Sequence, residues 1–178
     1  MRTRTYLLLV LPLVLACEQA ATPTDTDAFG SASMSAQGLP LSAEMKFGDP
    51  TTGSPFAPAE GHDASVHAKD KLVPRTVVIA AGGTVTFQVA PVHRVAVYDD
   101  GKTPEDVSLQ NLLPAPILGI PDFQIDDAAD RLALQSAANF LSPRVFTHTF
   151  PNPGRYLVIC VTTPHFVTGD MWGWVIVQ

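Results

Sequence analysis

The 178-residue sequence is poor in cysteine, in basic residues and in long apolar runs. It contains only two cysteines, Cys17 and Cys160, and 11 basic against 17 acidic residues, which gives a formal net charge of −6. This acidic balance argues against nucleic-acid binding and favours a cationic or neutral partner. The apolar run over residues 6–16 is shorter than the ~20 residues that a membrane-spanning helix needs.

The N-terminus has the features of an export signal. Arg2 and Arg4 precede the apolar run, and the letters VLAC over 14–17 resemble the bacterial lipobox, in which the cysteine is acylated. We therefore predict a signal peptide over 1–16 and a lipid on Cys17, and expect a periplasmic or other extracytoplasmic protein anchored to a membrane. Ordinary signal cleavage, with Cys17 incidental, is the alternative. Without residues 1–16 the chain has 9 basic against 17 acidic residues, a formal charge of −8.

The rest of the chain divides into a tether and one domain. Residues 17–43 are rich in Ala, Ser, Thr, Asp and Pro and have too few large apolar residues to fold, so they indicate a flexible tether. Residues 44–178 have the length of one domain.

Short strand-like bursts separated by turn residues predict an all-β Greek-key β-sandwich for this domain. The bursts lie at 45–47, 76–80, 84–89, 94–98, 144–150, 156–161 and 172–177. Within 84–89 the apolar residues alternate with Thr and Gln, so one face of that strand should lie in the core. Trp172 and Trp174 share a strand face and should either face outward or pack under a long insertion.

That insertion spans 101–143. Four prolines interrupt its first half, so no long helix can form there. Its second half contains helix formers at helical spacing and ends at Pro143, which predicts one amphipathic helix near 126–141, packed across the sandwich.

Four residues supply the ligand types of a mononuclear copper site: His93, Cys160, His165 and Met171. One thiolate, two imidazoles and a weak thioether suit a copper ion that gives and accepts one electron. Taken singly, a lone cysteine is usually a small buried hydrophobe. Taken together, the four predict one bound copper ion. If Cys17 is lipidated, Cys160 also has no disulfide partner in an oxidising compartment, and metal coordination would protect its thiol.

Two motifs around these residues resemble the cupredoxins, the plastocyanin and azurin family. They are F-x3-G-x-Y-x3-C over 150–160 and M-x-G-x-V-x-V over 171–177. The resemblance implies a cupredoxin-like sandwich over 44–178 with a single type 1 (blue) copper ion, and the insertion is its main departure from a minimal member. It also implies single-electron transport between redox proteins, with His165 as the electron port.

The neighbours of His165 predict how a partner docks. Pro164 and Phe166 flank it, so we expect its ring edge to reach the surface through an apolar collar, and His93 to be more buried. Pro164, His165 and Phe166 form the predicted electron port. We expect a redox protein to dock there with a cationic or apolar face of its own.

Three histidines remain outside this set. His62 and His67 are expected in a solvated loop, with a second weak metal site as the alternative, and His148 is expected to face outward from a strand. The five histidines include no H-x-H pair, which excludes the trinuclear cluster of multicopper oxidases, and no catalytic activity is predicted. A copper-handling protein (chaperone, store or sensor) and a metal-free interaction module remain as alternative functions.

Overall fold

Two β-sheets enclose one core in a computed structural model that describes residues 33–48, 71–115 and 120–178. The predicted signal peptide, Cys17, His62 and His67 lie outside these described residues. The strands are β1 (Ser42–Phe47), β2 (Leu72–Val73), β3 (Thr76–Ile79), β4 (Gly83–Val89), β5 (Val95–Asp100), β6 (Leu112–Ala115), β7 (Ile120–Ile125), β8 (Arg131–Leu134), β9 (Arg144–Phe150), β10 (Gly154–Cys160) and β11 (Trp172–Val177). A 3-10 helix (Pro104–Asp106) and a short α-helix, α1 (Thr163–Val167), complete the described elements.

The chain passes repeatedly from one sheet to the other. One sheet of the sandwich has the order β2-β1-β4-β9, and the other has the order β3-β11-β10-β5-β8, while β6 and β7 form a separate two-stranded antiparallel sheet. The pairs β1–β4 and β3–β11 are parallel, whereas the other pairs within these sheets are antiparallel. The predicted all-β sandwich is therefore confirmed. Strand β1 begins at Ser42, two residues ahead of the predicted domain boundary.

The inward faces of the two sheets form the main core, and β4 shows why. Val85, Phe87 and Val89 are buried while the residues between them are only partly buried, as the alternation predicts. Phe87 packs edge-on against Phe47 of β1 at 5.9 Å between ring centroids. Burying each such large side chain contributes about 1.5–3 kcal/mol, so this layer supplies much of the stability. The same layer extends to Cys160 and Met171 at one end of the sandwich.

The predicted helix near 126–141 is wrong. Residues 131–134 form β8, which pairs with β5 at the edge of the five-stranded sheet, and the flanking residues form turns. The buried carboxylate of Asp127 accepts hydrogen bonds from the backbone N–H groups of Ser108 and Ala129, at 2.8 and 3.1 Å. Such side-chain bonds compete with helix formation, and helix propensity is weak enough for a strand pairing to override it.

The insertion instead covers the outer face of the five-stranded sheet. Trp172 and Trp174 are partly buried against a second apolar cluster, to which the insertion contributes. The insertion residues in or against this cluster are Val107, Leu112, Ile125 and Leu134. The guanidinium carbons of Arg75 and Arg155 lie over the rings of Trp172 and Trp174, at 4.4 and 3.6 Å from a ring centre. No helix in the described ranges has the length and apolarity to span a bilayer.

Candidate metal centre

Strand pairing brings the four predicted ligands to one end of the sandwich. Cys160 is the last residue of β10, which pairs with β5 on one side and β11 on the other. His93 lies just before β5, and Met171 lies just before β11. His165 lies in α1, in the loop that joins β10 to β11. Because β10 is central, residues nearly 80 positions apart become neighbours.

The thiol of Cys160 lies between the two imidazole rings. Its Sγ is 3.6 Å from Nδ1 of His93 and 3.6 Å from Nδ1 of His165. The three candidate ligand atoms all lie within 4.8 Å of one another. His93, Cys160 and His165 are only 2%, 0% and 1% exposed. This arrangement can hold one metal ion away from water.

Backbone hydrogen bonds hold Met171 beside this cluster. Its N–H donates to the carbonyl of His165 at 3.0 Å, and its carbonyl accepts from the N–H of Cys160 at 2.9 Å. Its side chain is fully buried and belongs to the same core layer as Cys160. Met171 is therefore the candidate for a fourth, weaker ligand through its thioether.

The short helix α1 turns His165 inward. Pro164 occupies its first turn, where a missing N–H costs nothing, and the N–H groups of His165 and Phe166 donate to the carbonyl of Thr162. The N–H groups of Thr168 and Gly169 close the helix on the carbonyl of Pro164. Five residues are thus enough to place one imidazole against Cys160.

The environment of Cys160 favours its ionised form. Complete burial alone would raise the pKa of the thiol, but the hydrogen bonds of the sulfur with His165 and His93 hold that pKa well below its usual range. A thiolate is the form of cysteine that binds metals.

The segment before His93 is held in a strained conformation. Val92 has φ = 62°, a left-handed value that is rare for a β-branched residue. Its N–H donates to the carbonyl of Phe140 at 2.9 Å, and its carbonyl accepts from Oγ1 of the buried Thr162 at 2.7 Å. Backbone strain of this kind persists only where the surroundings enforce it. These two contacts therefore fix the direction in which His93 leaves the loop.

Several polar residues that support the site have no signal in the sequence. Arg94 donates from Nε to the carbonyl of Gln135 at 2.7 Å and from Nη1 to Oε1 of Gln124 at 2.9 Å. Ile125 of the insertion donates its N–H to the carbonyl of Val161, next to Cys160. The insertion is therefore hydrogen-bonded to both ligand-bearing segments. Only the tertiary fold reveals these partners, since they lie 30–41 residues apart along the chain.

The structure corrects the predicted exposure of the port residues. The ring of His165 does not reach the surface, and His93 is no more buried than His165. Phe166 is only 8% exposed and packs in the cluster on the outer sheet face, so it cannot form an apolar collar. Pro164 is partly buried, and the exposed apolar residue of this loop is Val167, at 53%. Phe166 belongs to the same apolar cluster as Val107 and Ile125 of the insertion.

His148 also differs from its predicted position. It is half-buried and shares a strand face with Phe146 and Phe150, with its ring 4.8 Å from the ring of Phe150. Burial lowers the pKa of this histidine. The prediction that His148 faces outward is therefore wrong, because the alternation in β9 places it on the inner face.

No family model and no curated protein matches this sequence. Among solved structures, auracyanin from Roseiflexus castenholzii is 20% identical, with 79% of this chain and 99% of that chain covered and a TM-score of 0.47. Auracyanin A, a "blue" copper protein from Chloroflexus aurantiacus, is 19% identical, with 77% and 98% covered and a TM-score of 0.46. Plastocyanin from Dryopteris crassirhizoma is 23% identical, with 76% and 100% covered and a TM-score of 0.39. These structural neighbours are cupredoxins.

Proposed function

We propose that the protein is a mononuclear type 1 copper protein that carries single electrons between redox partners outside the cytoplasmic membrane. The observation that carries this proposal is the placement of Cys160 Sγ at 3.6 Å from Nδ1 of both His93 and His165, with all three residues buried. The names of the structural neighbours support it, since one is called a "blue" copper protein and another was crystallised after reduction by dithionite.

The donor set fits copper. One thiolate and two imidazoles with a weaker thioether form the ligand combination of blue-copper electron-transfer sites. His93, Cys160 and His165 would be the strong ligands, and Met171 the weak one. Bound copper would supply one-electron chemistry between its two oxidation states. The protein's part is to keep these ligands in place, through the contacts at Val92 and the backbone bonds of Met171.

Burial of the ligands favours electron transfer over catalysis and over copper handling. A catalytic metal site keeps a position open for water or substrate, whereas His93, Cys160 and His165 are at most 2% exposed. A chaperone or store must also release its ion, and exposed methionine- and histidine-rich tracts serve that purpose. The chain has only four methionines, of which Met171 is fully buried.

We further propose that lipid on Cys17 anchors the protein and that the partner docks near α1. Val167 is exposed and Pro164 is partly buried, and both lie in the same short helix as the proposed ligand His165. The acidic net charge would steer a cationic partner at long range, and such redox encounters typically bury less than about 1,200 Å².

A copper titration tests the proposed metal. We expect the purified apoprotein to bind one equivalent of copper(II) and to develop an intense visible absorption, which reports charge transfer from the Cys160 thiolate. Zinc(II) is the control, since it should occupy the same ligands without colour. A colourless copper complex, or copper bound only at other residues, would contradict the proposal.

A further inference from the structure

Arg144 is the first residue of β9, and its side chain contacts the backbone of His93 in the loop before β5. Its Nη2 donates to the carbonyl oxygen of His93, and its Nη1 donates to the carbonyl oxygen of Ser136 at 3.1 Å. The guanidinium carbon lies 5.4 Å from the centre of the Phe140 ring. Three contacts therefore fix this cationic group beside the backbone of a proposed ligand.

The charge of Arg144 has no neutralising carboxylate among the described residues. Its buried Nε also has no hydrogen-bond partner there. Burial and, to a lesser extent, the nearby Arg94 lower the pKa of Arg144. An arginine stays protonated despite such shifts. Its positive charge therefore lies beside the backbone of His93.

Arg94 is the other arginine close to His93, but the structure gives it a different task. Its guanidinium donates to the backbone carbonyl of Gln135 and to the side-chain amide oxygen of Gln124, both in the insertion. Its role is to join the insertion to β5. Arg144, by contrast, donates to the carbonyl oxygen of His93.

We propose that Arg144 both positions the His93 loop and shifts the redox balance of the site toward the reduced state; this inference rests on the proposed copper function. Uptake of one electron lowers the net charge of the site by one. A fixed cation stabilises the less positive state, and it does so more strongly in a half-buried position than in water. Arg144 is thus a positioning residue, because it acts on the metal through charge and through His93.

The test separates charge from hydrogen bonding. Arg144→Gln keeps a donor for the His93 carbonyl and removes the charge, whereas Arg144→Lys keeps the charge. Arg155→Gln is the matched control, since it removes an equal charge from the opposite end of β10, about 16 Å along the strand from Cys160. The ratio of oxidised to reduced copper protein is measured at equilibrium with a redox dye, through the visible band.

We expect Arg144→Gln to raise the ratio of oxidised to reduced protein about tenfold. Arg144→Lys and Arg155→Gln should each stay within about threefold of wild type, since the first keeps the charge and the second removes a distant, exposed one. Ser136→Asp is a second variant at an exposed position, and it should shift the ratio in the same direction by placing a carboxylate beside Arg144. If Arg144→Gln does not fold, the Ser136→Asp variant still tests whether charge at Arg144 changes the ratio of oxidised to reduced protein.

Two failures are distinguishable. A wild-type protein without the visible band overturns the proposed copper function, and this inference with it. A coloured wild type whose ratio is unchanged in Arg144→Gln, or unchanged in Ser136→Asp where the first variant does not fold, overturns the inference alone. Equal shifts in Arg144→Gln and Arg144→Lys would likewise overturn it, because geometry rather than charge would then be the cause.

Discussion

Replacement of Cys160 with serine is expected to abolish the visible band and tight copper binding while leaving the domain folded. Cys160 is the one thiol among the described residues and is fully buried between His93 and His165. A serine hydroxyl has almost the same shape, but it is neither ionised at neutral pH nor a soft ligand. Copper affinity should fall by more than the roughly 10–100-fold typical of losing an outer-shell partner. The measurement is a copper titration followed by absorption and by denaturant unfolding.

Met171→Leu is the control for this substitution, because it removes a sulfur from the same site without removing the thiolate. We expect this variant to keep copper and colour and to have a raised reduction potential, since a weak axial bond stabilises the oxidised ion. A Cys160→Ser protein that keeps the full visible band would contradict the ligand assignment.

Replacement of Gly173 with alanine is expected to cost at least about 3 kcal/mol of unfolding free energy. A Cβ at Gly173 would fall far inside van der Waals contact with the carbonyl oxygen of Arg75 and 2.8 Å from Cδ2 of Leu72. The carbonyl cannot move away freely, because it accepts the N–H of Trp174 at 2.8 Å where β3 meets β11. Chemical denaturation of the two proteins at one pH measures the loss.

Gly101→Ala is the matched control. Gly101 has φ = 79°, and a Cβ there would meet nothing within 4 Å. This alanine should therefore cost only the conformational penalty of about 1–2 kcal/mol. Equal losses in the two variants would show that the close approach of Arg75 to Gly173 is not what constrains β11.

Strand alternation and ligand spacing made the core of the fold predictable. The face of a strand is fixed by a period of two, so the sequence around Val85 and Val175 already indicated which residues point inward. The order of His93, Cys160, His165 and Met171 indicated a site because the flanking motifs place them at strand ends. The described structure brings Cys160 together with both histidines.

The insertion could not be predicted, for a physical reason. Alanine- and leucine-rich segments suit a helix locally, but Asp127 stabilises a turn and β5 offers an edge on which residues 131–134 can pair. Phe166 is buried in a cluster to which the insertion contributes. Such long-range contacts leave no periodic signal in the sequence.

A redox titration of the copper-loaded protein tests the central claim most directly. The visible band and the bound copper are followed together while the solution potential is lowered and then raised. The proposed function predicts that the band disappears with one electron per protein, that copper stays bound, and that the band returns in full on reoxidation. Release of copper on reduction, or a protein that never develops the band, would contradict it.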